Sequence, residues 1–456
     1  MTTYAASEFV SFGLIPQAGD VFETGSPYFR QLVNTFTPDP VTSMIIDATI
    51  NGRGRVEDKR TNLVGFGLAT EYTLKYKNLR LAIAAAMRSN FPGEASVLGQ
   101  SDINFIVGAT HLDGTTSAAH GQITSVSGAF DDLIEYGGVT AVTHPNGGAE
   151  GLMLRISGSN LPQNDGDRRI KAVYDDGVAK IDIMLGYTSG VISGYGSPLL
   201  ADTLDDCLLR VGDAVRDVGC SDDFVPHSAL WEFCDMNTFG KWQGGWGLRA
   251  GGLDLNWTGK DAVTMTVPWI GEAPTPLQAT DPSGQGLTEA DLVKSPMIIG
   301  ADLSVFALVP SHVIGATTTI TGPMVMSGFM LTSLASALAG GVEAVTGISG
   351  NKMTSGVRAG INDASLTVGY EHANLELAEQ LVSIGHQDTQ QKVTADAIFD
   401  DTDGNTIVIG WPRCEPSPNM PTASTGAVTG SIELGAHEMT DTSGQMIHQE
   451  FGAIVP

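Results

Sequence analysis

The sequence predicts a mainly β protein, a β-sandwich or barrel with one flanking α-helix and a small β-domain inserted into it. Three observations predict this class. Apolar and polar residues alternate along many short segments, clusters of Gly, Pro, Asn and Asp separate those segments, and a helical period is clear in one stretch. The chain has 456 residues, of which 42% are hydrophobic. Two or three compact units, each with a core, fit within that length.

The N-terminal part, residues 1–95, is predicted to open the main β domain with two strands and a helix. Residues 43–50 form the first strand, and residues 64–76 form the second because Phe66, Leu68 and Tyr72 fall on one face with a period of two. Residues 79–88 change to a helical period after Asn78, a good N-cap residue. The helix is expected to pack its apolar stripe on the sheet.

Residues 96–200 are predicted to form an inserted β-rich module. The four segments 132–139, 151–158, 169–174 and 179–184 are each short enough for a strand, and turn-forming residues separate them. That spacing is typical of a small barrel or sandwich.

Residues 201–456 are predicted to hold the remainder of the main β domain with long loops, and a second domain of the same kind is a further possibility. Long Pro- and Gly-rich loops are expected at 271–286 and 413–426, and no repeat of fixed period is visible. The predicted strands are residues 252–258, 262–267, 301–308, 364–370, 393–399, 406–411 and 428–436.

The charge balance excludes two classes of partner. The chain has 51 acidic and 24 basic side chains, a formal net charge of -27. Binding to nucleic acid or to an anionic membrane surface needs clustered Lys and Arg. A surface past which nucleic acid slides remains compatible, because an acidic wall repels phosphates over about 8 Å at physiological salt.

Residues 313–342 contain no charged side chain, a length that would span a bilayer. The stretch is rich in Ser, Thr and Gly, and basic residues do not flank it. It is therefore predicted to be a core strand followed by a small-residue helix or a subunit-contact loop. The first residues lack the pattern of a signal peptide, so synthesis in the cytoplasm is expected.

No catalytic or cofactor-binding motif is present in the sequence. The HExxH, GxSxG and GxxxxGK patterns are all missing. The spacing of Cys207, Cys220, Cys234 and Cys414 does not match a zinc site, so buried free thiols are expected. The chain is therefore predicted not to be an enzyme and to hold no cofactor or metal.

Two local clusters each allow two interpretations. Residues 400–405 carry alternating carboxylates and a glycine, but they lack the final glutamate of a calcium loop, which favours an acidic hairpin turn. The aromatic run 231–246 would suit a sugar-binding platform, with Trp242 and Trp246 stacking on a glycan. Packing within a tight hairpin or at a subunit contact is the favoured interpretation of this run.

The C-terminal strands carry a family resemblance. Residues 393–401, 404–413 and 430–437 resemble the closing strand pair, Pro-Arg turn and final strand of siphophage major tail tube proteins. Residues 364–374 look like the penultimate region of that family, and residues 55–88 look like its opening strand and helix. The module at 96–200 is similar to small β-modules found in some members. The chain is longer than many members.

The resemblance implies a structural virion protein located in the phage tail and made in the host bacterial cytoplasm. Subunits of this kind form rings, six around the axis or three if the tube domain is doubled, and inner sheets join into one barrel. The implied partners are copies of the chain, the tape-measure, tail-terminator and baseplate or tail-tip proteins, and genomic DNA that passes without specific binding. A membrane is not among them.

The lumen wall is expected to include Glu71, Asp396 and Glu433, since each lies on a predicted strand and an acidic lumen lets DNA slide. The other interpretation of these three is ordinary solvated charge on a strand face. The alternative function is a carbohydrate-binding, adhesin-like β-rich virion protein, for which exposed Trp242 and Trp246 would be needed.

Overall fold

The architecture is described from a computed structural model of the chain. The residues it describes are 10–19, 21–46, 59–75, 80–89, 91–93, 95–98, 102–112, 114, 121–125, 130–138, 147–183, 199–216, 225–235, 238–288, 296–310, 329–345, 356–358, 363–372, 393–401, 403, 405–418, 422–424, 427–436, 439–440, 446–447 and 450–454. The predicted turn at 51–52 and the helix cap Asn78 lie outside these ranges, as do residues 313–328.

The protein is mainly β, as the sequence predicted. Within the described residues its helices are α1 (Arg80–Met87) and α2 (Asp131–Ile134), with 3-10 turns at Tyr136–Gly138 and Gly300–Asp302. The strands are β1 (Val10–Pro16), β2 (Tyr28–Gln31), β3 (Thr35–Ile46), β4 (Lys59–Thr73), β5 (Ala95–Leu98), β6 (Ile103–Val107), β7 (Gly121–Ser125), β8 (Met153–Ser157), β9 (Gly166–Asp175), β10 (Ala179–Ile183), β11 (Asp202–Asp205), β12 (Leu208–Val211), β13 (Asp213–Arg216), β14 (His227–Asp235), β15 (Thr238–Ala250), β16 (Gly252–Thr258), β17 (Thr264–Gly271), β18 (Ala273–Pro274), β19 (Leu287–Thr288), β20 (Leu303–Pro310), β21 (Phe329–Ala339), β22 (Glu343–Val345), β23 (Gly356–Arg358), β24 (Asp363–His372), β25 (Val393–Asp400), β26 (Thr406–Pro418), β27 (Thr422–Ser424), β28 (Ala427–Ala436), β29 (Met439–Thr440), β30 (Met446–Ile447) and β31 (Glu450–Ile454).

The body of the protein is a sandwich of two layers. The first layer is an antiparallel run in the order β3-β4-β17-β16-β21-β24-β28. The second layer holds β1-β14-β15 and β20-β25-β26, also antiparallel. The aromatic rings of Trp257 and Phe399 meet edge to face at 5.6 Å, and those of Phe66 and Trp231 stack at 5.9 Å. These pairs join the layers across one continuous core.

Two long strands carry the chain from one layer to the other. The first part of β15 pairs with β14 in the second layer, whereas Arg249 and Ala250 at its end pair with β17 in the first. In the same way β26 pairs with β25 at its start and with β28 from Cys414 onward. The predicted strand 406–411 is thus much shorter than the observed one. Strands that switch layers close the corners of the sandwich.

Helix α1 packs against β15 and β16 through its apolar stripe, as predicted. Ala82, Ile83, Ala86 and Met87 are buried there. The helix ends because Arg88 adopts a left-handed backbone conformation with φ of 55°. The helix therefore ends at Met87, one residue before the end of the predicted helix 79–88.

Strands β5 to β12 form a separate eight-stranded sheet, in the order β11-β6-β7-β10-β9-β8-β12-β5. This sheet, called the insert below, runs from Ala95 to Val211 and has its own apolar core. The interval assigned to the inserted module, 96–200, ends before β11 and β12. Those two strands return to the sheet and complete it.

One strand prediction within the insert was wrong. In the predicted strand 132–139, residues 132–138 instead belong to α2 and a 3-10 turn. Asp131 and Asp132 lie in the first turn of α2, where carboxylates are favoured by the amide groups that point out of a helix N-terminus. Gly137 and Gly138 then take φ values of 74° and 75°, which stop the helix.

The insert is held on the body by buried ion pairs. Arg169 of β9 donates from Nε to Asp396 of β25 at 3.3 Å, and its Nη2 bonds the other carboxylate oxygen of Asp396. Arg155 of β8 reaches Asp400, the last residue of β25, at 2.8 Å while it also bonds Asp167. Arg169 and Asp396 are shielded from water, with side chains 6% and 0% exposed. Charges buried this deeply are stabilising only as a pair.

The substitution Arg169→Met is expected to lower the free energy of unfolding by about 3–5 kcal/mol, because it leaves the Asp396 carboxylate buried without its cation. Urea unfolding measures the change. The matched control is Arg358→Met, which removes an ion pair with Glu343 whose side chains are 72% and 68% exposed. That control is expected to cost less than about 1 kcal/mol. Equal losses in the two variants would contradict the account.

His227 gives the body a dependence on pH. Its ring packs edge to face on Trp269 at 5.6 Å, and burial lowers the pKa of His227 to about 4. In the unfolded chain the same ring titrates near its ordinary pKa of about 6.5. The unfolded state therefore binds more protons between those two values, so the stability present at neutral pH falls as the pH drops through that window.

The variant His227→Phe is expected to keep the apolar packing and to lose this dependence. Between pH 6.5 and 5 the free energy of unfolding of the parent protein should fall by about 2 kcal/mol more than that of the variant. Urea titrations of both proteins across this range measure the difference. Parallel pH profiles for the two proteins would show that His227 is not the responsible group.

Candidate functional surface

The outward side of the first layer is a broad, regular surface, called the acidic face below. It is formed by β4, β17, β16, β21, β24 and β28, whose inward residues fill the core. One row across it reads, strand by strand, Glu71, Thr266, Asp254, Ala337, Ser365 and Gly435. The adjacent row reads Thr73, Thr264, Asn256, Ala335, Thr367 and Glu433.

Small side chains make this surface smooth. Most outward positions in the two rows are Thr, Ser, Ala or Gly, so few side chains project far from the sheet. Lysine and arginine are missing from one segment of each of the six strands. These segments are residues 67–73, 252–258, 264–271, 331–339, 363–371 and 428–436. Basic side chains occur on or beside the same strands. Lys59 and Arg60 begin β4, Lys75 follows its end, and Arg249 at the end of β15 donates to the carbonyl oxygen of Val357 at 2.6 Å.

Five carboxylates stand on the acidic face: Glu71, Asp254, Asp363, Glu371 and Glu433. Glu71 and Glu371 are half-buried, and the other three are exposed. Five strand-to-strand steps separate β4 from β28, which corresponds to roughly 24 Å at the usual spacing. Partial loss of water around Asp254 raises the pKa of its carboxyl group. The face therefore presents negative charge across its whole width.

Asp396 does not belong to the acidic face, and the expectation that it lines a wall was wrong. Its side chain is 0% exposed and is paired with Arg169 of the insert. A carboxylate neutralised by a buried guanidinium contributes no charge to a surface. Glu71 and Glu433, by contrast, share one face of one sheet, so their assignment to a wall remains a prediction.

The acidic face and the insert lie on opposite sides of the sandwich. Ala395, Ala397 and Phe399 of β25 point into the core, where Phe399 meets Trp257 of the first layer. Asp396 and Asp400 alternate with these residues and point away from the core toward the insert. The order across the molecule is thus acidic face, first layer, second layer, insert.

The acidic cluster at 400–405 is a hairpin turn between β25 and β26, as favoured by the sequence. The Asp401 carboxylate accepts from the backbone amides of Asp403 and Asn405, each at 2.8 Å. It also accepts from the side-chain amide of Asn405 at 2.5 Å. The Asp401 carboxylate is therefore engaged in hydrogen bonds that stabilise the turn. Across the described residues, no group of three His, Cys, Asp or Glu side chains is placed to hold a metal.

The aromatic run 231–246 forms the hairpin of β14 and β15, in agreement with the packing interpretation. Trp231 is fully buried and stacks on Phe66. Trp242 and Trp246 are half-buried. Among the described cysteines, Cys207 and Cys414 are buried free thiols, as expected, and burial raises the pKa of Cys207 to about 12. A helix able to cross a membrane is not found in the described part of the chain.

Sequence reasoning missed Asp254, Asp363 and Glu371 as members of the acidic face. Each stands at a polar position of an alternating strand, the same signal that marked Glu71 and Glu433. The strand alternation was therefore sufficient to find them once the order of strands in the layer is known. The order depends on pairings between distant segments, which a local pattern does not contain.

Comparison with protein-family models finds no match for this chain, and a search of curated proteins also finds none.

Two adjacent residues of β28, Glu433 and Leu434, test which side of the first layer stabilises the fold. Glu433→Gln is expected to change the free energy of unfolding by less than about 0.5 kcal/mol, because the side chain is exposed. Leu434→Ala is expected to cost about 2–5 kcal/mol, because Leu434 is 0% exposed in the core. Urea unfolding of both variants measures this contrast. A large loss in Glu433→Gln would mean that the acidic face is covered in the isolated chain.

Proposed function

We propose that this chain is a structural subunit of a phage tail tube, which self-assembles into rings whose acidic faces line a channel for DNA. The single observation that carries the proposal is the acidic face itself. It combines small outward side chains, five carboxylates and no Lys or Arg within the six segments named above, which leave out Lys59 and Arg60 at the start of β4.

The physical case rests on what a channel wall for DNA must avoid. Lys and Arg bind phosphates strongly, and each such contact slows a strand that has to slide. Carboxylates repel phosphates over about 8 Å at physiological salt, so the duplex stays near the axis of the channel. Thr, Ser, Ala and Gly offer little shape for a base or a groove to engage. A specific binding site would need the opposite properties.

The position of the insert fits the same assignment. An inserted module on the channel side would block the passage, whereas a module on the far side of the sandwich leaves the acidic face open. Arg169 and Arg155 fasten the insert to β25, on the side away from the acidic face. In the proposed tube the insert therefore lies on the outer surface. The tape-measure and tail-end proteins remain proposed partners.

A charge-reversal test separates a lumen wall from ordinary surface charge. The triple variant Glu71→Lys, Asp254→Lys, Glu433→Lys places three cations on the acidic face. Assembled particles of this variant are expected to retain fluorescent duplex DNA at physiological salt at least tenfold better than the parent protein. Co-sedimentation measures retention, and electron microscopy of the same samples confirms that particles formed.

The matched control carries the same charge change away from the face, as Asp132→Lys, Glu135→Lys, Asp176→Lys. These three side chains are exposed on the insert. The control is expected to retain little more DNA than the parent. Equal retention by the two triple variants would refute a special role of the acidic face, and failure of the parent to assemble at any concentration would refute the structural assignment.

A further inference from the structure

The body contains the same arrangement of strands twice. Unit 1 consists of β1, β3, β4, β14, β15, β16 and β17, and unit 2 consists of β20, β21, β24, β25, β26, β27 and β28, in the same chain order. Six antiparallel pairings of unit 1 recur in unit 2. They are β1–β14 with β20–β25, β3–β4 with β21–β24, β14–β15 with β25–β26, β4–β17 with β24–β28, β16–β17 with β27–β28, and β15–β17 with β26–β28.

Details of the strands support this duplication. The fifth strand of each unit, β15 or β26, has 13 residues and switches layers midway. The sequence repeats the pattern Asn-Leu-X-Leu-Ala after the second hairpin strand, at residues 78–82 and again at 374–378. The two units thus agree at three levels, namely chain order, strand pairing and sequence. Such agreement is difficult to obtain by chance.

The two units meet at one junction within the chain. Strand β16 of unit 1 pairs along its whole length with β21 of unit 2, from Gly252 opposite Ala339 to Thr258 opposite Ser333. This junction makes the first layer continuous across both units. Its two strands are β16, the sixth strand of unit 1, and β21, the second strand of unit 2.

The counterparts of these two strands lie at the ends of the layer. Strand β27 is the unit 2 counterpart of β16, and among the described residues it pairs with β28. Strand β3 is the unit 1 counterpart of β21, and there it pairs with β4. Each presents one remaining edge of hydrogen-bonding groups. Unpaired edges of this kind invite another strand.

We propose that β27 of one copy pairs antiparallel with β3 of a second copy, and so repeats between chains the junction that β16 and β21 form within one chain. The partner is thus another molecule of the same protein, joined head to tail. Since the contact uses two different surfaces, repeating it gives a closed ring or an open helix. This inference deepens the proposed tube function and rests on it for ring closure.

The register of the new junction follows from the internal one. Asn256 of β16 lies opposite Thr264 of β17, and Thr422 of β27 lies opposite Thr429 of β28. Thr264 and Thr429 are equivalent, because each is the first outward residue after a valine at the start of the strand. Thr422 is therefore the counterpart of Asn256.

The same comparison aligns the other side. Thr73 of β4 faces Thr264, and Glu371 of β24 faces Thr429, so these two residues are equivalent. Four residues earlier, Ala69 faces Thr37 of β3.

In unit 2 the matching position is Thr367, which faces Ala335 of β21. Thr37 is therefore the counterpart of Ala335. Because Asn256 and Ala335 are directly opposed in the internal junction, Thr422 and Thr37 are expected to be opposed between chains. Both threonines are exposed in the isolated chain.

Disulfide trapping tests this pairing, since directly opposed strand residues lie within the distance that a disulfide spans. The double variant Thr37→Cys, Thr422→Cys is oxidised at a concentration that favours assembly and is run on a non-reducing gel. The expected result is a ladder of linked chains. The internal control Asn256→Cys, Ala335→Cys is expected to stay monomeric and to lose both thiols.

The single variants establish the head-to-tail arrangement. Thr37→Cys alone and Thr422→Cys alone are expected to give no linked dimer, while a mixture of the two gives one. Absence of a link in the mixture, with the internal control fully oxidised, would overturn the proposed junction. If electron microscopy of the parent protein still shows tubes, only the junction is wrong. If tubes are missing too, the proposed function falls with it.

Discussion

The two layers of the sandwich differ in the number of sides that are buried, and the rest of the architecture depends on this difference. The first layer buries one side, through residues such as Trp257 and Leu434, and leaves the other side to solvent. The second layer buries both sides at β25, where Phe399 enters the core and Asp396 meets the insert. A strand with two buried sides needs something to neutralise its polar positions, and Arg169 does so. Among the described residues, no module comparable to the insert covers the outward side of the first layer, which leaves the smooth face open.

The buried ion pair also explains where the insert is located. A carboxylate at 0% exposure is costly without a cation, and Arg169 supplies one only when the insert is seated on β25. The insert is joined to the body through α1 and β13. Asp213 of β13 follows the insert in the chain and contacts the segment that precedes it. Its carboxylate accepts from the amide of Gly93 at 2.7 Å and pairs with Arg80 at 2.5 Å. These contacts keep the module on the side away from the acidic face.

The sequence was informative wherever one strand alternates between core and solvent. It predicted the alternation of β4 and both bounds of β16, because those patterns are local. It failed at Asp396, whose polar position on an alternating strand looks the same as that of Glu433. The difference lies in Arg169, 227 residues earlier in the chain. The sequence raised a second domain of the same kind only as a possibility for a similar reason, because the insert interrupts unit 1 and no fixed period survives. The repeated Asn-Leu-X-Leu-Ala was the available signal.

The central claim is that the acidic face lines a channel in an assembled tube. Electron cryomicroscopy of the protein assembled at high concentration tests it most directly, because a map that resolves strands also places both sides of the sandwich. The account predicts a channel walled by β4, β17, β16, β21, β24 and β28, with the insert on the outer surface. A map with the acidic face on the outside, or buried between copies, would contradict the account.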